Sequence, residues 1–335
     1  MSAQTSPYDS DALPTDTVDV VVIGGGAAGL NGALMLARSR RSVIVIDSGT
    51  PRNAPAEAMH GFIVLDGTPP PEILQRGREQ VRQYGGRIVF GEVTGAEAAA
   101  PSADGDLRFT VTLADGRTLT ARRVLVATGL RDVLPEVPGL AEHWGHSVVH
   151  CPYCHGWEVR DEPIGILATG PLSVHHAWLF RQLTDDLIYF ARGTDLDSET
   201  RARFAARGIR VVETDVREVV NDTDGTLVGV RLADGTLVER RVLAVATRME
   251  ARTEGLDGLK LPMEDLPDNM GRRFSSAMAG TTEIPGVWVA GNAADLAAQV
   301  GASAAAGALA GSHINAMLAT ADTDAALASA QKATG

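Results

Sequence analysis

The sequence predicts an α/β protein built from two related units, and three observations predict it. An apolar strand, Val18–Ile23, runs into Gly24-Gly25-Gly26-Ala27-Ala28-Gly29 and then into a small-residue helix. A turn-and-strand pattern occurs twice, once near residue 115 and once near residue 234. Between the two copies stand Cys151 and Cys154, the only cysteines in 335 residues.

The first element is the most specific. A near-continuous run of Val and Ile reads as a strand buried on both faces, as in a parallel sheet. The glycine cluster follows, then a helix over 30–38, then a second strand over 42–46 ending at Asp47. That is G-x-G-x-x-G in the setting the motif needs: strand, tight turn, helix, strand, and an acid about twenty residues on. Gly24 permits the turn, Gly26 lets backbone approach a pyrophosphate, and Gly29 lets helix and strand pack closely. The unpaired N–H groups of the helix start face the phosphates, and Asp47 can accept from a ribose hydroxyl. The expectation is a dinucleotide site.

The repeat comes next. Leu113-Ala114-Asp115-Gly116 leads to Arg122-Arg123-Val124-Leu125 and Ala127-Thr128-Gly129. Leu232-Ala233-Asp234-Gly235 leads in the same way to Arg240-Arg241-Val242-Leu243 and Ala246-Thr247. Asp-Gly makes a hairpin turn in each, and a buried strand then ends in small residues. Two Rossmann-like units in three layers follow from this duplication.

The cysteines lie three apart in Cys151-Pro152-Tyr153-Cys154-His155. A four-ligand zinc site cannot be made from them alone, and the loop they could close is too short to staple a fold. The spacing suits a thiol–disulfide couple, in which one thiolate reacts and the other resolves. His155, whose imidazole titrates near neutral pH, is the candidate acid/base, so the expected catalytic set is Cys151, Cys154 and His155. His150, just before Cys151, could lower that thiol's pKa if protonated, but is expected to be a solvent-facing strand-end residue, and His175 and His176 are expected to fill a vacated nucleotide site.

Near the C-terminus a strand over 286–290 ends at Gly291-Asn292. A helix of Ala and Gly begins near Gln299-Val300. Small residues on every face imply close approach by something flat or by backbone, and the helix start presents its positive end to an anion.

Together, the GGGAAG turn, Ala127-Thr128-Gly129, the CPYCHG segment and the Gly291-Asn292…Gln299 helix resemble low-molecular-weight thioredoxin reductases over nearly the whole chain from Val18. The resemblance implies FAD along a first domain at 18–132 and 251–335. That domain is interrupted by a degenerate pyridine-nucleotide-type domain at 133–250 that carries the CxxC. Residues 1–17 are expected to be a disordered tail. The implied cofactor contacts are Gly24, Gly26, Gly29, Asp47, Thr128, Gly129, Gly291, Asn292, Gln299 and Val300, and Asn292 replaces an Asp usual in that family. A homodimer is also implied.

Two departures refine the resemblance. The insert's own phosphate loop reads Ala168-Thr169-Gly170-Pro171-Leu172-Ser173: Ala stands for the first glycine, and Pro171 has no N–H where phosphate oxygens need one. The basic cluster for a 2′-phosphate is reduced to Arg192, with Arg181 nearby, so a specific NADPH grip is not expected. His155 follows the second cysteine where thioredoxin reductases carry an acid. In this, and in Pro51-Arg52-Asn53 with His60-Gly61-Phe62, the chain is similar to the FAD-dependent dithiol oxidases of the gliotoxin and holomycin type. The implied reaction closes a disulfide in a small dithiol through Cys151–Cys154, with Cys154 nearer the flavin and electrons passing through FAD to O2 to give H2O2. The alternative is a thioredoxin reductase that uses NADPH or a ferredoxin to reduce a protein disulfide.

Composition sets the remaining bounds. Forty-two acidic against thirty basic residues leave a net charge of −12, which disfavours nucleic acid and anionic membranes as partners. No apolar run reaches spanning length, no metal site is expected, and a cytoplasmic location would let the pair cycle.

Overall fold

The computed structural model describes residues 13–334. Most of the tail expected at 1–17 lies outside the described residues. Of the rest, 13–17 carry no regular element, and Leu13 packs on a core cluster built around Val21, Ile44 and Val124.

The first sheet places Arg87–Phe90, Val43–Asp47, Val18–Ile23, Thr118–Val126, Arg108–Leu113 and Val93–Ala99 side by side, and Val287–Val289 also pairs with 118–126. Val18–Ile23 is parallel to both neighbours, with Val22 level with Val45 and Leu125. It is buried on both faces, which is why Val or Ile fills every position but Asp19. The helix after the glycine turn is Ala27–Arg38, three residues longer at its start than the sequence pattern suggests, because the turn's own alanines are already helical. A helix at Pro70–Gln83, absent from the sequence expectations, opens on two prolines that suit a first turn.

The second unit is a parallel sheet in the order Arg210–Val212, Leu187–Phe190, Ile164–Leu167, Val242–Val245, Val148–Val149. Each unit carries an Asp-Gly hairpin of the same build. Gly116 (φ 83°) and Gly235 (φ 89°) occupy left-handed positions that favour glycine. Asp115 and Asp234 each accept the amide two residues on, from Arg117 and Thr236. The duplication inferred from sequence is therefore present in the backbone.

The chain passes between the units twice, through Leu130–Val133 and Arg248–Ala251. These segments pair antiparallel, with Asp132 level with Met249. The duplicated threonines bind across this passage in opposite senses. Thr128 Oγ1 donates to the carbonyl of Arg252 at 2.8 Å, and Thr247 Oγ1 donates to Asp132 at 2.6 Å.

The long Ala/Gly helix is Val300–Thr334. Its small residues serve close backbone contact: a Cβ on Gly307 would lie 1.9 Å from the Ala28 carbonyl oxygen, and one on Gly311 2.5 Å from that of Gly32. Among the described residues no helix is long and apolar enough to cross a membrane.

Candidate active site

Both units open onto one cavity of about 1070 Å³. The glycine turn forms one wall through Gly24, Gly26 and Asp47, and Thr128, Gly129, Asn292, Gln299 and Val300 add to it. Cys151, Cys154 and His155 line the same cavity from the second unit. Sequence-distant candidates thus converge. Gly29 and Gly291 do not line the cavity; they let its walls close. A Cβ on Gly29 would fall 1.9 Å from the Gly24 carbonyl oxygen, and one on Gly291 2.7 Å from Ala28 Cβ.

The turn itself is shaped for an anion. Gly24 (φ 108°) lies against the Ala127 carbonyl, where a Cβ would sit 2.3 Å from the oxygen. Gly26 is different: a Cβ there would meet nothing within 4 Å, so its surroundings are open space on the cavity side. No side chain caps the helix start. Its first amides therefore face the cavity with hydrogen-bonding capacity to spare. Asp47 is largely buried and takes the Gly49 amide at 3.1 Å on Oδ1.

The corresponding turn of the second unit is closed on itself. The Thr169 amide donates to Ser173 Oγ at 2.9 Å, and Thr169 Oγ1 donates to the Ala246 carbonyl at 2.6 Å. Arg192 folds back to donate to the Ala168 carbonyl at 2.9 Å. Arg181 is committed elsewhere, to the carbonyls of Arg207 and Thr184 and to Asp185. The residues after this turn, Leu172, His175, His176 and Leu179, face the shared cavity. His175 and His176, expected to fill a vacated nucleotide site, line the same cavity as the cysteines.

Cys151 and Cys154 form a disulfide at the head of a one-turn helix, Pro152–His155. Pro152 suits the first helical position, and the amides of Cys154 and His155 both bond the Cys151 carbonyl at 3.2 Å. Gly156 must follow because a Cβ there would lie 2.1 Å from the Pro152 carbonyl oxygen. Tyr153 and Trp157 are exposed, Trp157 beneath the Arg160 guanidinium at 4.2 Å, and Tyr153 and Trp144 both line the cavity.

His155 is partly buried, and its Nε2 is enclosed without a partner. Burial pushes its pKa below the ordinary 6.5, although nearby Glu158 pulls the other way. The ring is therefore neutral near pH 7, the form that can accept a proton. His60 reaches Glu158 and Asp66, each at 3.4 Å. His150 is not solvent-facing as expected. It lines the cavity, and burial followed by the Arg52 charge lowers its pKa.

Asn292 donates through Nδ2 to the carbonyls of Asp295 (3.1 Å), Leu296 (3.4 Å) and Ala298 (2.7 Å). An aspartate, lacking donors, could not make these bonds. Sequence reasoning missed Asp132 and Thr247 and gave Arg52 no role beyond its motif. The Ala246-Thr247 repeat of Ala127-Thr128 was the available signal. Among the described residues no group of three His, Cys, Asp or Glu gathers as a metal site.

Fold and site define an oxidoreductase acting on disulfides, with the thioredoxin reductase-like α/β architecture. The chain belongs to the pyridine nucleotide-disulphide oxidoreductase family, whose pattern matches residues 18–312. It is 35% identical over 285 residues to thioredoxin reductase tcpT of Claviceps purpurea (strain 20.1), covering 83% of this chain and 87% of that one. The crystal structure of HlmI superposes with a TM-score of 0.89 at 42% identity, covering 97% of this chain and 99% of the other. An oxidoreductase from Agrobacterium tumefaciens does so at 0.83 and 33%, covering 91% and 99%. Members of the family are flavoproteins, and FAD fits here on structural grounds. The open side of Gly26, the uncapped amides and the adjoining cavity make the cradle a pyrophosphate requires.

Proposed function

We propose that this protein is a dithiol oxidase that closes a disulfide in a small dithiol substrate, with FAD as cofactor and O2 as terminal acceptor. One observation carries the reading: the disulfide and His155 share a cavity with the open glycine turn, while the second turn spends its donors internally. Gly24 and Gly26 would hold the pyrophosphate, with Gly29 letting helix and strand close behind them, and Asp47 would hold the ribose. Thr128, Gly129, Gly291, Asn292, Gln299 and Val300 would frame the rest. NADPH has no comparable grip.

A substrate thiolate attacks Cys151 Sγ, the Cys151–Cys154 bond breaks, and Cys154 leaves as thiolate. The second substrate thiolate then attacks the substrate sulfur held in the mixed disulfide, and Cys151 leaves as thiolate. The substrate gains an S–S bond and loses two electrons; the cysteine pair gains them, and the two thiol protons end on the enzyme. Thiols of ordinary pKa, about 8.5, are mostly protonated at pH 7, so a base is needed, and neutral His155 supplies it. Bound FAD supplies the two-electron acceptor for the reduced cysteines and the donor to O2, giving H2O2.

The relatives named thioredoxin reductase support a second reading, in which NADPH or a ferredoxin drives reduction of a protein disulfide. We place the protein in the cytoplasm as a homodimer. Peroxide formed per disulfide closed, measured with a small aliphatic dithiol and the purified holoenzyme, tests the proposal. A ratio near one supports it. Absence of peroxide, with thiol production from a protein disulfide on adding NADPH, overturns it.

A further inference from the structure

A buried polar chain crosses the passage between the units and ends on the residue before Cys151. Arg52, from the loop after Val43–Asp47, grips Asp132 with two bonds of 2.7 Å. The Asp132 carboxylate is almost wholly buried, and Arg52 keeps it ionised, holding its pKa below the usual carboxylate range against the opposing effect of burial. Thr247 Oγ1 donates to the same carboxylate at 2.6 Å. On its other side, Thr247 Oγ1 lies 3.2 Å from His150 Nδ1, and the Val245 carbonyl oxygen lies 3.0 Å from that nitrogen.

These contacts select a tautomer. An ionised carboxylate can only accept, so it takes the Thr247 hydroxyl proton and turns a lone pair of that oxygen toward His150. A carbonyl oxygen can also only accept. Two lone pairs at 3.0 and 3.2 Å are attractive only if Nδ1 carries the hydrogen. The one opposing contact is the Thr247 amide, at 3.3 Å from Nδ1, longer than either. The lone pair of His150 is left on Nε2, which has no hydrogen-bond partner among the described residues, and the ring lines the cavity beside Cys151.

We propose that Asp132, acting through Thr247, is a positioning residue that fixes His150 as the Nδ1–H tautomer, so that Nε2 is the proton-accepting nitrogen beside Cys151. Two substrate thiols must each give up a proton, and His155 stands next to only one cysteine. His150 serves the other: Nε2 takes the second thiol's proton and returns it to the Cys151 thiolate as that sulfur leaves. Arg52, Asp132 and His176, whose ring centroid lies 5.2 Å from that of His150, are the titratable or charged groups around it. The catalytic half of this inference rests on the dithiol reading; the tautomer does not.

The test is 15N NMR of protein labelled in its histidine rings, read beside stopped-flow reduction of the holoenzyme by a small dithiol. Wild type should show His150, assigned by its loss in His150→Gln, as neutral Nδ1–H. Asp132→Asn, whose amide can donate to Thr247 and turn its hydroxyl toward Nδ1, should shift His150 toward Nε2–H. The same change should slow dithiol reduction on the order of 10- to 100-fold, with FAD retained. Thr247→Val should act likewise and Thr247→Ser should restore both signals, which keeps the test available should Asp132→Asn fail to fold. An Nε2–H ring in wild type overturns the proposal, as does a tautomer shift with unchanged reduction rate. If wild type reacts with no dithiol, the dithiol reading fails and with it the proton-accepting role of His150, whatever tautomer the spectrum shows.

Discussion

The two phosphate-type turns of this molecule descend from one pattern and have opposite fates. The turn at 24–29 keeps its glycines, leaves Gly26 facing open space and leaves its helix amides uncapped. The turn at 168–173 replaces a glycine by Ala168, loses an N–H at Pro171, and answers the Thr169 amide with its own Ser173 hydroxyl. A turn that satisfies its own donors gains about 0.5–1.5 kcal/mol per bond and loses its claim on a phosphate. Hydrogen-bond accounting, more than the glycine count, separates a nucleotide site from its remnant.

Substitutions separate the open turn from the closed one, and both from the cysteine pair. Cys154→Ser removes the leaving sulfur, so dithiol reduction of the cofactor should fall by more than about 1,000-fold in stopped-flow absorbance. Reduction at the normal rate would mean that the cysteines play no part. Gly26→Ala adds a methyl only where the ligand belongs. FAD affinity, read by fluorescence, should weaken by about 1–3 kcal/mol while the apoprotein's melting temperature stays put. Ser173→Ala strands the Thr169 amide and should cost about 1–3 kcal/mol in urea unfolding. It should bring no gain in NADPH binding by calorimetry; a gain would show that only the serine blocks the site.

The smallest effect is a pH dependence. Burial, followed by the neighbouring His150 and His175, pushes His176 from the ordinary 6.5 down to about 3. The unfolded chain therefore takes up this proton first as pH falls. The neutral ring's contribution is complete above pH 6.5 and is lost progressively in the window down to about 3. His155 and His150 shift in the same direction and add to the slope. His176→Phe should flatten urea-unfolding stability between pH 7 and 5, and an unaltered slope would show that His176 is not the group responsible.

How much of this was legible in the sequence depends on the range of the interactions. Val18–Ile23 could be read outright, because a strand buried on both faces is apolar at nearly every position, with Asp19 the exception. The glycine turn was legible because its chemistry is local. Leu130–Val133 and Arg248–Ala251 were not: each is four residues with charges, and they pair with each other across more than a hundred residues, Arg248–Ala251 also pairing with Gly271–Phe274. The Ala/Gly helix was ambiguous for a related reason. Gly307 and Gly311 are small to admit the backbone of Ala27–Arg38, while Gln299 and Val300 face the cavity, and one composition serves both. The Arg52–Asp132–Thr247–His150 chain draws on four distant stretches, and only the repeated Ala-Thr hinted at any of it.

The most direct test of the central claim, that electrons enter through sulfur and not from a nicotinamide, is an oxygen-free titration of the purified holoenzyme followed by its visible flavin absorbance. A small dithiol should bleach the yellow band with one equivalent per cofactor, and NADPH should leave it unchanged over the same time. Stoichiometric bleaching by NADPH would contradict the account.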